Sequence, residues 1–124
     1  MLRELAHVKQ DGPNRRRWFR DDWFDIFTWQ SADGSVTGFQ LCYDLQGMER
    51  ALVWSQKSGY SHDKVDSGEG APVANRSPIL RPDGVFPAAL VLREFDARAE
   101  AIEPHLREAL RLRISAYVDN EIGR

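Results

Sequence analysis

His62, Asp63 and Asp66 form the densest grouping of a histidine with carboxylates in this 124-residue chain. An imidazole among carboxylates is the chemistry of a general base held by an orienting acid, or of two or three ligands to a metal ion. Asp25 is the fourth candidate, because it alternates with Trp23, Phe27 and Trp29, and a carboxylate buried among rings must find a partner. A small hydrolase-like enzyme centred on His62, with Asp63, Asp66 or Asp25 in support, is the catalytic alternative these residues offer. Their spacing argues against it. Neighbouring side chains of an extended chain point to opposite faces, so His62 and Asp63 diverge, and the intervals match no zinc or calcium motif. The expectation is a polar strand exit with a surface histidine, and no metal or cofactor is called for. The pair Asp21 and Asp22 diverges by the same argument unless the backbone turns between them.

A second cluster is cationic. Arg15, Arg16 and Arg17 run into Trp18 and Phe19, and Arg20 follows. Four cations around two rings can hold phosphate or stack on bases. With 17 basic against 19 acidic residues, however, the molecule has no general field to attract nucleic acid. A solvated edge strand, on which charge discourages unwanted strand pairing, is the preferred reading of Arg15 to Arg20.

The third feature is aromatic. Ten of the thirteen aromatic residues fall between Trp18 and Tyr60, more than two short helices are expected to cover. Tryptophan and tyrosine are the usual anchors of interfaces. Trp18, Trp23, Trp29 and Trp54, with Arg16, Arg17 and Arg20, are therefore the candidate binding residues. The contact would be with a second copy, another protein or a small apolar ligand.

These residues need a scaffold, and its rhythm is readable. Apolar residues alternate at Phe39, Leu41 and Tyr43 and again at Leu52 and Trp54, the period of half-buried strands. The alternation predicts strands at Trp23–Gln30, Val36–Asp44 and Arg50–Lys57, with Asp33-Gly34 supplying the first hairpin turn. A strand over Leu5–Lys9 pairing with Arg16–Arg20 and one around Ser58–Asp66 are the further candidates for the sheet, and a short strand is expected to pack at Pro78–Arg81. Both faces of the Trp23–Gln30 strand are apolar. If Phe24, Ile26 and Thr28 face the core, the rings of Trp23, Phe27 and Trp29 flank an outward-facing groove, and the expectation is that the helices cover one face and a second layer, a ligand or another chain the other.

Glycines and prolines from Gly68 to Pro87 exclude long elements there, and Ser67–Asn75 is the segment expected to be disordered. From Pro87 the period becomes helical. Ala88, Val91, Leu92, Phe95, Ala99 and Ile102 make one stripe, Pro104 forces a break at Glu103, and Leu106, Ala109, Leu110, Ile114 and Tyr117 make a second. The expected architecture is one α+β domain over 1–124: a four- to five-stranded antiparallel meander over about 5–66, a long loop over 67–86, and two C-terminal helices over about 87–119 packed on one sheet face.

The lone Cys42 cannot form an internal disulfide, no run approaches the roughly 20 apolar residues of a membrane span, and the first residues lack a signal-peptide core. The expected setting is a cytoplasm. Arg16-Arg17-Trp18-Phe19 with Asp21-Asp22, then Gly38-Phe39-Gln40-Leu41-Cys42-Tyr43-Asp44, and later Pro78-Ile79-Leu80 with Asp83-Gly84-Val85-Phe86-Pro87, resemble a family of small bacterial proteins with no assigned activity. The resemblance spans roughly Arg16 to Pro87. It implies a free-standing cytoplasmic protein and names no catalytic residue, cofactor or substrate. The functional expectation is a non-catalytic binding or interaction domain using the aromatic sheet face.

Overall fold

The computed structural model describes residues 1–10, 12–66, 79–82 and 85–122, with side chains for all of these except 65, 66, 79–82 and 118–122. The expected loop 67–86 and the disorder at Ser67–Asn75 fall mostly or wholly outside the described residues. The elements are β1 (Arg3–Glu4), β2 (Arg15–Arg20), β3 (Phe24–Gln30), β4 (Val36–Tyr43), β5 (Arg50–Ser55), β6 (Gly59–Asp66), β7 (Ile79–Pro82), α1 (Ala88–Arg98) and α2 (Pro104–Ile122). The strands form one antiparallel sheet in which spatial order follows chain order. The α+β class is as expected. The sheet is larger than the four to five strands anticipated: seven, of which β1 spans two residues and six are of substantial length. The short strand expected at Pro78–Arg81 is β7, paired with β6, while the two residues of β1 are too few to carry a period-two signal.

The hairpin between β3 and β4 closes as its sequence requires. Gly34 takes a φ of 90°, and the loop is tied by hydrogen bonds from the Ser31 amide to the Ser35 carbonyl and from the Gly34 amide to the Ser31 carbonyl, both 2.9 Å. The register skips Thr37, so that Trp29 lies opposite Gly38 and Gln30 opposite Val36. That bulge leaves Gly38 and Phe39 on opposite faces while keeping Val36 buried.

Alternation then sorts the residues. One face carries two central cross-strand rows, Phe19, Ile26, Leu41, Leu52 and His62, then Arg17, Thr28, Phe39, Trp54 and Tyr60. Most of these join the helices' inner stripes, Val91 and Phe95 of α1 and Leu106, Leu110 and Ile114 of α2, in one hydrophobic core. The two helices thus cover the Phe24–Ile26–Thr28 side of the sheet, and both stripes read from the sequence point inward. Leu112 lies off the stripe and is 70% exposed.

Two boundaries differ most from expectation. Leu5–Lys9 forms no strand: the chain pairs earlier, with Arg3 opposite Arg20 and Glu4 opposite Phe19. Farther along, the Leu5 amide donates to the Trp18 carbonyl at 2.8 Å, and the Gln10 side chain acts as a strand would. Its Oε1 accepts from the Arg16 amide and its Nε2 donates to the Arg16 carbonyl, both at 2.8 Å. Turn-forming chemistry after Gln10 prevents a longer pairing. Helix α1 ends at Arg98, not at Glu103, because Ala99 caps it and a turn from the Ile102 amide to the Ala99 carbonyl follows. Ala99 and Ile102 remain buried even so. Pro104 opens α2, where its missing N–H costs nothing.

Candidate functional site

His62 is turned inward from β6 and is only 6% exposed, so the surface histidine expected from the sequence is a buried one. Its Nε2 lies 2.6 Å from the Tyr43 hydroxyl, and the two rings are parallel with centroids 6.0 Å apart. Phe86 and Tyr117 complete an aromatic surround, at 5.3 Å and 6.5 Å. Asp63, the next residue, lies on the other face in a row with Ala51, Cys42 and Asp25. The sheet therefore separates His62 from both Asp25 and Asp63, and the base and its proposed acids do not converge. The Asp66 side chain is outside the described residues. Among the described residues, no three of histidine, cysteine, aspartate and glutamate lie close enough together to hold a metal ion.

The arginines divide in the same manner. Arg17 points to the core side and is 8% exposed. Its Nε and Nη2 donate to the two carboxylate oxygens of Glu4 at 2.8 Å and 2.7 Å, and its Nη1 donates to Glu103 and, at 3.4 Å, to Gln30. The Arg17 hydrogen bonds hold the Glu4 carboxyl below its ordinary value. This residue fastens β1, β2, β3 and the turn before α2 together. Arg20 sits 3.3 Å from Asp25, whereas Arg16 is in no ion pair among the described residues.

Asp21 and Asp22 do converge, because the chain bends after β2, and their target is Arg98 of α1. Arg98 Nη1 lies 3.0 Å from Asp21 and 2.8 Å from Asp22. Burial works against the Asp21 charge, but the Phe24 and Trp23 amides and Arg98 outweigh it and hold its carboxyl below the ordinary value. Both contacts fix α1 to the sheet, beside a cavity of about 550 Å³ that Asp21 and Asp22 line with Met1, Arg3, Leu5 and Arg20.

Four tryptophans were candidates for binding, and the structure separates them. Trp54 is buried at 6% exposure with the Arg113 guanidinium 4.2 Å from its ring. Trp23 precedes β3 and packs on the core through Phe24 and Tyr43, at 4.7 Å and 5.9 Å. Trp18 and Trp29, with Phe27, stand on the opposite face, half-buried and outside the hydrophobic core. They form a ladder. Trp18 stacks on Phe27 at 5.1 Å and 15°, the Arg16 guanidinium lies 4.5 Å from the Phe27 ring and 6.0 Å from the Trp29 ring, and the Trp18 indole N–H donates to Asp25. The outward-groove alternative for Phe27 and Trp29 is the one the fold adopts, with Asp25 bound to Trp18 and Arg20.

Beside the ladder, a groove of about 630 Å³ runs along β3, β4 and β5, lined among others by Trp29, Gly38, Gln40, Val53 and Gln56. Gly38 lies in its wall. A Cβ there would sit 3.1 Å from the Trp54 carbonyl oxygen, tighter than backbone readily accepts. At the far end of the same face, burial pushes the Cys42 thiol up to about 12, which removes it as a nucleophile at neutral pH. Glu49 beside it is raised by burial and by the Asp25 charge. An outward groove beside these rings was expected from the sequence; its extension over β4 and β5 past Gly38 was not, and a glycine inside a strand pattern was the available signal.

Comparison with protein-family models, with curated proteins and with solved structures finds no match to this chain. No helix among the described residues is long and apolar enough to cross a membrane.

Proposed function

We propose that this protein is a binding module whose contact surface is the outer face of the sheet around Trp18, Phe27 and Trp29, together with the adjoining groove. One observation carries the reading: three large rings lie half-exposed on a face that neither helix covers, next to a concavity of about 630 Å³. That volume falls within the roughly 300–1,000 Å³ of small-molecule sites. Half-exposed Trp side chains beside an arginine are the residue types that anchor contacts. The separation of His62 from Asp25 and Asp63 favours binding over hydrolysis as the use of this face.

The test is amide NMR of the isotopically labelled protein against a panel of sugars, nucleotides, indoles and short peptides, with sedimentation at several concentrations to detect self-association. The reading expects at least one probe, or the protein itself at high concentration, to shift the indole N–H resonances of Trp18 or Trp29. A strict monomer whose outer face responds to none of these would refute it.

A further inference from the structure

Resting on that reading, we infer that the groove beside Trp29 takes a neutral sugar unit, seated with its apolar C–H face toward the indole. The groove joins two chemistries. Its apolar lining is Trp29 and Val53, with Phe39 and Trp54, around the bare backbone of Gly38. Its polar lining is neutral: the amides of Asn14, Gln40 and Gln56 and the hydroxyls of Ser31, Thr37 and Ser55. Among the described residues no carboxylate lines it, and Lys57 is its one cation.

Each alternative ligand conflicts with part of that lining. A phosphorylated or carboxylated ligand needs an arginine fork or several cations, yet Arg17 and Arg20 are held by Glu4 and Asp25, and the Arg16 guanidinium is laid on Phe27. Single-stranded nucleic acid needs a cationic track along its backbone as well as a ring. A wholly apolar ligand would cover amides and hydroxyls without bonding them, which is unfavourable. A pyranose presents C–H groups on one face and hydroxyls around its edge. The hydroxyls of Ser31, Thr37 and Ser55 are already engaged with Asp33, the Trp29 carbonyl and the Ser58 amide. The amides of Asn14 and Gln56 make no side-chain hydrogen bond among the described residues, and each offers both donors and an acceptor to a sugar edge.

The experiment titrates the full chain with glucose, cellobiose and N,N′-diacetylchitobiose, with glucose 6-phosphate and indole in parallel, and reads amide and indole NMR shifts. The inference expects a neutral saccharide to shift the Trp29 indole N–H, the Gly38 amide and the Gln56 side-chain amide. Trp29→Ala should weaken that binding by about tenfold or more, as loss of a stacking partner does. Gln56→Ala, on an exposed side chain that makes no internal bond, should weaken it without altering the fold. Leu112→Ser, off this face, should leave it unchanged. If indole or glucose 6-phosphate shifts these residues and no neutral saccharide does, the inference is overturned while the binding reading stands. Saccharide shifts confined to other surfaces overturn it too, and silence of the whole outer face toward every probe removes both.

Discussion

Replacing Arg17 by Met keeps a stem of similar length and deletes the guanidinium that joins β1, β2, β3 and the turn before α2. Each charge-assisted bond of this kind contributes about 1.5–3 kcal/mol when shielded. The Glu4 and Glu103 side chains are 41% and 52% exposed, so solvent takes up much of what they lose, which reduces each pair to about 1 kcal/mol or less. Allowing for the half-shielded bidentate geometry at Glu4, Arg17→Met should cost about 2–3 kcal/mol, seen as a fall in Tm of roughly 10 °C. Urea unfolding of the single variants and of Arg17→Met with Glu4→Gln would give a coupling energy, larger for Glu4 than for Glu103. Acid supplies an independent check. The folded-state pKa of Glu4 is depressed below 4.5. Its contribution is therefore present above that value and lost as pH falls through the folded pKa, so the gap between parent and variant should narrow in strong acid. A variant within about 0.5 kcal/mol of the parent near neutral pH would show that the clamp contributes nothing beyond an ordinary surface pair.

Three further outcomes follow from particular side chains. The Thr28 hydroxyl is fully buried and makes no hydrogen bond among the described residues, so Thr28→Val should raise stability by about 1 kcal/mol in urea titration. Gly38→Ala gains strand propensity but presses its Cβ on the Trp54 carbonyl, held in the middle of the sheet at 3.1 Å. A net loss of about 1 kcal/mol is expected, and an unchanged midpoint would mean that the sheet yields there. Cys42 is 5% exposed with its thiol pushed up to about 12. Iodoacetamide at mildly alkaline pH should leave the native protein unmodified and label it fully in denaturant; rapid native labelling would contradict the burial.

The class of the fold was legible because alternation and helical period are local signals. Phe39, Leu41 and Tyr43, or Leu106, Leu110 and Ile114, each declare their own face, and the structure buries all six. What alternation cannot give is the choice between two apolar faces of one strand. Phe24–Ile26–Thr28 and Asp25–Phe27–Trp29 are comparably apolar, and only the packing of α1 and α2 decides which becomes core. His62 shows the reverse difficulty. A polar residue in a polar segment reads as exposed, and nothing local announces that Tyr43, nineteen positions earlier, supplies a buried hydroxyl partner. The arginine run was legible as charge but not as partners, since Glu103 lies 86 residues from Arg17 in sequence. Side-chain stacking, with Arg16 over Phe27, supports this aromatic face where no second layer lies over it among the described residues.

The Gln10 side chain has a consequence for how the molecule can associate. With its amide occupying both backbone groups of Arg16, Leu5 occupying the Trp18 carbonyl and β1 paired beyond, the margin of the sheet at β2 is already spoken for. A second chain seeking to extend the sheet on that side would first have to peel away the leading segment, a barrier that a free strand edge does not impose. Assembly by ribbon extension is thereby closed off along β2. Any companion meeting this half of the protein must dock broadside, against rings and guanidinium groups in place of peptide bonds.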